Sequence, residues 1–203
     1  MRIAVAQSTG IAGLSAELPP LSRLAVAYAP SRARSLWTAL VLFDHRLSRA
    51  VANASSPLLA QLKLAWWRDR MREAASRWPQ GDPLLAALAL FDAERVALET
   101  LVDAWESVIG EEGEGKLGPG ALERLGEARA GAVAALARTL ACATDPGAIA
   151  TLARCWTMPE AQMSAAVRLP RALRPLLILA NAPQSGAGPA AMLRTVRLGM
   201  FGR

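Results

Sequence analysis

Proline, preceded by a residue that can cap a helix, recurs along this chain and divides it into short segments. Ser56, Asp82 and Asp145 each stand directly before a proline. A serine or aspartate side chain can accept a hydrogen bond from a free amide of the first helical turn, and proline is tolerated at the first helical position because no N–H is needed there. The dipeptides at Ser56 and Asp82 therefore predict two helix starts, and Asp145 with Pro146 predicts a division between shorter helices.

The remaining prolines and glycines complete the division of the chain into helices. Another start is predicted at Ser31, which follows Pro30 and can cap a long helix. Residues 110–120, rich in glycine and glutamate, are predicted to form the main exposed loop. We expect helices over residues 21–29, 31–52, 57–78, 92–109, 121–143 and 190–198, with shorter ones after residue 83 and between residues 146 and 180.

The composition predicts an all-α fold. Hydrophobic residues make up 53% of the 203 residues, led by alanine and leucine. Because β-branched residues and tyrosine are few, the sum of intrinsic preferences favours helix over strand. A chain of this length can bury one sizeable core. We therefore expect a single helical domain over residues 1–203, in which residues 1–20 have no clear pattern.

Two apolar stripes at helical spacing predict faces that pack in the core. Tryptophans in such a stripe could in principle line a lipid pocket, but core packing is the more common role of this pattern. The first stripe consists of Leu64, Trp67, Met71, Ala74 and Trp78, and the second of Leu98, Leu101, Val102, Trp105, Val108 and Ile109.

The apolar runs are too short to cross a membrane. The best of them, residues 36–43 and 83–91, fall well below the roughly 20 residues that a transmembrane helix needs. Polar residues interrupt the weak apolar stretch at the N terminus, so a cleaved secretory signal is not expected. Cys142 and Cys155 are too far apart for a paired metal-ligand motif and predict buried thiols. We expect a cytoplasmic protein.

The net charge of +6 is concentrated in the last quarter of the chain, where residues 151–203 carry seven arginines and a single acid, Glu160. Such a segment suits a peripheral contact with an anionic membrane, an acidic protein or a phosphorylated ligand, although a solvated surface has the same composition. With no recognised binding motif, a nucleic-acid partner is not expected. The arginines that could meet anionic head groups are Arg168, Arg171, Arg174, Arg194 and Arg197.

Asp44 is the most informative polar residue. On its predicted helix it shares a face with Trp37 and Leu40, so the pattern directs its carboxylate toward the interior. A buried carboxylate needs a partner. The structural interpretation gives it an arginine of a neighbouring helix, Arg68 or Arg70. The functional interpretation depends on the residues around it.

Those residues resemble a conserved block of a known family. Residues 34–48, RSLWTALVLFDHRLS, are followed after a short turn by residues 62–71, LKLAWWRDRM. The paired tryptophans, Trp66 and Trp67, and the arginine after them resemble the first block of the squalene/phytoene synthases. Residues 169–180, LPRALRPLLILA, are similar to the late proline-punctuated helix of that family.

The resemblance extends from about residue 31 to residue 200 and implies a shortened helical bundle of the isoprenoid-synthase type. In that family, carboxylates at positions i and i+4 of a helix hold Mg²⁺, which binds a prenyl diphosphate. Asp44 matches one of these carboxylates, but Ser48 stands at i+4, and residues 151–203 contain a single acid, Glu160, and so no second pair. The resemblance therefore points to the family's non-catalytic branch, which includes an assembly factor of respiratory complex I.

From this branch we expect a catalytically degenerate protein, without a cofactor, that binds a lipid or an isoprenoid or assists assembly. The alternative is a prenyl diphosphate transferase with an atypical Mg²⁺ site. Its ligands would be Asp44, Asp69, Glu99 and Asp103. However, Arg95, four residues before Glu99, favours a solvated and charge-paired face for the last two.

Three further predictions concern single residues or small sets: the diphosphate ligands, the lone histidine and the lining of a lipid pocket. Arg34 and Arg70 are the candidates to bind a diphosphate, because guanidinium groups match phosphate oxygens. His45 follows Asp44 directly and so points to another helix face, which predicts a surface or boundary residue. The candidate lining of a lipid pocket consists of Trp37, Leu40, Trp66, Trp67 and Trp105.

Overall fold

The computed structural model describes residues 13–109, 119–158 and 167–181, and these residues contain helices and no strand. The all-α class predicted from composition is thus confirmed. Residues 13–17 are helical, and the helices that follow are α1 (Pro20–Ala27), α2 (Ser31–Ala52), α3 (Pro57–Arg72), α4 (Pro83–Leu88), α5 (Arg95–Ile109), α6 (Pro119–Thr139), α7 (Pro146–Thr157) and α8 (Arg174–Ala180). Short 3₁₀ turns lie at Ala75–Arg77, Ala89–Glu94 and Arg171–Leu173.

Helix α2 is the centre of the bundle. Residues 36–44 are all buried, so this part of the helix is covered on every side. A helix that is apolar all round must be enclosed by other elements. The neighbours that enclose it are α1, α3, α4, α5 and α6. Helix α6 also packs against α5 and α7, and α8 packs against α1 and α7.

The two predicted capping dipeptides, at Ser56 and Asp82, are confirmed, and the structure adds a third cap at Asp145. The Asp82 carboxylate accepts hydrogen bonds from the amides of Leu84 and Leu85, at 2.7 and 3.3 Å. Ser56 caps α3 and Asp145 caps α7 in the same way, each with a side-chain oxygen that accepts from the first turn. Ser31 does not cap α2, because Pro30 occupies the capping position and Ser31 is the first helical residue.

Helix α3 ends at Arg72, six residues before the predicted end. The chain turns there because Trp78 folds back onto the helix. Its indole N–H donates to the carbonyls of Arg70, at 2.6 Å, and Glu73, at 3.2 Å. The indole satisfies the Glu73 carbonyl beyond the helix end and adds a second bond to the Arg70 carbonyl, which also accepts from the Glu73 amide at 3.2 Å. Trp78 is buried as the stripe predicted, but it reaches the core from outside the helix.

Both apolar stripes face the core, as predicted from their spacing. Every member of the second stripe is buried, and in the first only Ala74 is half-buried. Some boundaries differ from the prediction. Helix α5 begins at Arg95 after a 3₁₀ turn, and α6 runs from Pro119 to Thr139. The predicted helix 190–198 and most of the predicted loop 110–120 lie outside the described residues.

Ala141 has a left-handed backbone conformation, with φ at 49°, just after α6. The Cys142 amide donates to the Ala137 carbonyl and the Ala141 amide to the Arg138 carbonyl, both at 2.9 Å. This is the hydrogen-bond pattern that closes many helices, and glycine is the usual residue at the left-handed position. In the parts of the chain described, no helix is long and apolar enough to cross a membrane.

Replacing Ala141 with glycine should stabilise the protein. A side chain with a Cβ atom costs about 1 kcal/mol or more in the left-handed region, and glycine removes this cost. Ala150, exposed inside α7, is the matched control, because the same change there should destabilise by about 1 kcal/mol. Thermal and urea unfolding measure the change in stability of both variants. Equal losses of stability would contradict the left-handed conformation of Ala141.

A second prediction concerns Asp92, which accepts a hydrogen bond from the Ala75 amide at 2.8 Å and pairs with Arg95. The Ala75 bond is the main cause that holds the pKa of Asp92 below its ordinary value, and Arg95 adds to it. A lowered folded-state pKa adds stability above the unfolded value of about 3.8, and this is lost as the pH falls through the folded value.

Asp92→Asn should therefore be less stable than the parent at neutral pH. The difference should shrink between about pH 5 and about pH 3, because the parent carboxylate becomes protonated there. Urea unfolding at several pH values measures this, with Asp69→Asn, an exposed carboxylate on α3, as the control. A difference that does not change with pH would show that the charge of Asp92 is unimportant.

Candidate functional site

Asp44 lies in the middle of α2, and its side chain is only 7% exposed. Its partner is Arg129 of α6, whose side chain is 10% exposed. The Arg129 Nε donates to one carboxylate oxygen at 3.1 Å and Nη2 donates to the other at 2.8 Å. This two-pronged arrangement is the strongest geometry that an arginine and a carboxylate can form. The positive charge of Arg129 therefore balances the negative charge of Asp44 inside the protein.

Trp105 of α5 completes the surroundings of this carboxylate. Its indole N–H donates to Asp44 Oδ1 at 3.0 Å. The two oxygens of Asp44 thus accept three hydrogen bonds, from Arg129 and Trp105. A carboxylate has about four acceptor sites, so most of its capacity is used. The bonds join α2, α5 and α6 at one buried point.

Arg129 is held on its other side by α7. Its guanidinium carbon lies 4.4 Å from the ring centroid of Trp156 and 5.6 Å from that of Trp105. Its Nη1 donates to Thr157 Oγ1 at 3.2 Å. A guanidinium stacked between aromatic rings retains favourable electrostatic contacts although it is out of water. The charged pair is therefore built into the packing of four helices.

The partner predicted for Asp44 was wrong, although a buried arginine partner was the correct kind of group. Arg68 instead bonds to Asp103, at 2.6 Å, and to Glu106 across the interface between α3 and α5. Arg70 pairs with Glu73 on its own side of the chain at 3.4 Å. The true partner, Arg129, is 85 residues from Asp44 along the chain, and no local spacing relates the two.

Of the other three candidate metal ligands, two bond to arginines and the third is exposed on α3. Arg72 bonds to Glu99 at 2.6 Å, and Arg68 holds Asp103. These contacts link α3 to α5, whereas Arg95, the partner first considered for Glu99, bonds to Asp92. Asp69 is exposed on α3.

The donor set does not suit a magnesium ion. Asp44, Glu99 and Asp103 each bond to an arginine, which would compete with a cation for the same oxygens. Within the residues described, no three histidine, cysteine, aspartate or glutamate side chains come together as a metal site. Mg²⁺ is therefore not assigned to these residues.

The two candidate diphosphate ligands make other contacts. Arg34, exposed near the start of α2, donates to the Ala29 carbonyl at 3.2 Å. Arg70 lies with its guanidinium carbon 6.0 Å from the ring centroid of Trp66. Arg168 and Arg171 are exposed and Arg174 is half-buried, while the other two arginines of the proposed membrane contact lie outside the described residues.

The five aromatic and aliphatic residues proposed for a lipid pocket do not share one surface. Trp37 and Leu40 are fully buried, and the Trp37 indole donates to the Ala172 carbonyl at 2.8 Å. Trp105 is buried against Asp44. Of the five, Trp66 and Trp67 line a groove among the described residues, which lies between the end of α2 and α3 and has a volume of about 610 Å³. We call this the α3 groove.

The lone histidine and the two cysteines are buried or half-buried parts of the bundle. His45 is half-buried at the boundary of the bundle, as predicted, and its pKa is lowered by burial and by nearby Arg49. Neither cysteine forms a disulfide. Cys155 is buried, and burial raises the pKa of its thiol, whereas Cys142 is only half-buried.

The buried pair makes a testable prediction about stability. Asp44→Asn or Arg129→Met should each destabilise the protein by about 3 kcal/mol, because each leaves an uncompensated polar group in the interior. The double variant should lose clearly less than the sum. Urea unfolding of all three variants gives the coupling energy, with exposed Glu127→Gln of α6 as the control. Additive losses would show that the two residues do not depend on each other.

Comparisons with known proteins add no family assignment. The function is therefore argued from the geometry around Asp44 and along α3. No family model matches the chain, and no significant match was found among curated proteins or solved structures.

Proposed function

We propose that this chain is a non-catalytic, squalene/phytoene synthase-like protein that acts by binding, either to a lipid or isoprenoid or to a protein partner during assembly. The proposal includes a shortened isoprenoid-synthase type of bundle and a cytoplasmic location that allows peripheral contact with a membrane. The observation that carries it is the state of Asp44, whose carboxylate is bonded by Arg129 and Trp105.

This state argues against a role in binding a metal diphosphate. A carboxylate that binds Mg²⁺ must offer its oxygens to the cation and must be reached by the substrate. The side chain of Asp44 is 7% exposed, and its oxygens are taken by fixed donors on α5 and α6. Freeing it would leave the Arg129 charge unpaired in the interior, at a cost of several kcal/mol.

The carboxylates of α5 support the same proposal. Glu99 and Asp103 bond to Arg72 and Arg68, so they join two helices. Their contribution to the fold is sufficient to explain their presence on this face. The prenyl transferase alternative would require both arginines to release them, and no contact of the described residues favours that change.

What the structure offers for binding is the surface of α3. Trp66, one of the two tryptophans on which the family resemblance depends, is 42% exposed and lines the α3 groove. Large apolar side chains on a surface, rimmed by charged residues, are typical of sites that bind other molecules. The block on which the resemblance depends is thus divided between a structural part, at Asp44, and an exposed part, at Trp66.

The proposal is tested by incubating the purified chain with farnesyl or geranylgeranyl diphosphate and Mg²⁺. We expect no release of pyrophosphate above the level without protein, since the described residues form no free acidic cluster to hold the Mg²⁺ that would stabilise the diphosphate leaving group. Two of the four carboxylates of the alternative site can be removed without touching the core, as Glu99→Gln and Asp103→Asn.

The contradicting result is equally specific. Pyrophosphate release that Glu99→Gln or Asp103→Asn abolishes, with an unchanged circular dichroism spectrum, would establish the prenyl transferase. Release that Glu127→Gln also abolishes would instead indicate a loss of folded protein, since Glu127 lies exposed on α6 and bonds to none of these groups.

A further inference from the structure

Helix α3 exposes an apolar face that the fold does not use. The described residues expose six large hydrophobic side chains, and four of these lie on α3, namely Leu58, Leu59, Leu62 and Trp66. Leu58 is 64% exposed and Leu62 is 59% exposed. At about 1.5 Å per residue, the face from Leu58 to Trp66 is about 12 Å long, which is a little over two helical turns.

The same face forms one wall of the α3 groove. Leu59, Leu62 and Trp66 line it from α3, with Trp67 beneath them and Ala50 of α2 opposite. The groove volume of about 610 Å³ is large enough for several side chains. A concave apolar surface is filled best by side chains that project from a partner, as those of a helix do.

Trp66 is held in position before any partner arrives. Its ring makes an edge-to-face contact with Trp67, with centroids 4.8 Å apart, and Arg70 lies over it at 6.0 Å. An exposed tryptophan with fixed neighbours loses little conformational freedom on binding. Such residues are frequent among those that contribute most to the affinity of protein interfaces.

The charges around the groove select the kind of partner. Arg46, Arg49 and Lys63 line it together with one acid, Glu17. Arg46 is paired with Glu17 at 3.1 Å, but Arg49 and Lys63 are exposed and form no ion pair with any described residue. Two positive side chains are thus left beside an apolar groove, and acidic groups on the partner would complement them.

We propose that the α3 groove binds an amphipathic, acidic helix of another protein. The helix would place apolar residues at positions i, i+3 or i+4, and i+7 in the groove and carboxylates toward Arg49 and Lys63. A second copy of this chain is disfavoured because its groove carries the same positive charges. A flat lipid surface would contact the protruding Leu58 and Leu62 but would not fill the groove. This inference deepens the proposed binding role and rests on it.

The test is a selection from a displayed library of helical peptides. Every peptide has leucine at the positions of the apolar seam and either glutamate or lysine at each flanking position. We expect the wild-type chain to enrich peptides with glutamate, and raised salt to weaken their binding. Trp66→Ala should reduce the affinity of an enriched peptide at least about tenfold.

Matched variants separate the contribution of apolar contact to peptide binding from the contribution of charge. Leu62→Asp should abolish enrichment, whereas Val96→Asp, at a 75% exposed position on α5 outside the groove, should leave it unchanged. Changing Arg49 and Lys63 together to glutamate should reverse the preference from glutamate to lysine. Changing Arg77, which is exposed and does not line the groove, to glutamate should leave the preference for glutamate unchanged. Circular dichroism confirms that each variant is folded.

Other outcomes would overturn the inference. These are no enrichment, enrichment of lysine-flanked peptides, or enrichment that survives Leu62→Asp. Sedimentation of the chain with phosphatidylserine vesicles but not phosphatidylcholine vesicles, abolished by Leu62→Asp and unaccompanied by peptide enrichment, would assign the face to a membrane. Dimers abolished by Leu62→Asp would assign it to a second copy. Pyrophosphate release, in contrast, would overturn the proposed function whatever the peptide result.

Discussion

The pairing of Asp44 with Arg129 is the interaction around which this bundle is organised. Burying either charge alone would cost several kcal/mol, so each residue fixes the place of the other. The pair joins the central helix α2 to α6, and Trp105 and Trp156 bring α5 and α7 to the same point. The packing of four helices therefore depends on one satisfied polar cluster in a largely apolar core.

Local chemistry was enough to predict part of this fold. The helical class follows from composition, and the caps at Ser56 and Asp82 follow from the proline after each. Features that depend on distant contacts were not predictable. The end of α3 depends on the return of the Trp78 indole, and the partner of Asp44 comes from a helix 85 residues later. The isoprenoid-synthase type of bundle remains a prediction.

The sequence predicted that Asp44 is buried, but it did not predict which residues surround the site. Hydrophobic spacing correctly directed Asp44 inward, because a helix repeats its faces regularly. The same spacing could not show that Trp66, next to buried Trp67, stays at the surface above a groove. Exposure of an apolar residue depends on which neighbours fail to cover it. That information appears only when α2 and α3 are placed together.

Helix α3 has two faces with separate tasks. Arg68 and Arg72 attach one face to carboxylates of α5, while the leucines and Trp66 of the other contribute little to the core. Substitutions on the outer face can therefore accumulate without unfolding the protein. If α3 binds a partner as proposed, its outer face can take a different binding specificity while the packing beneath it stays the same.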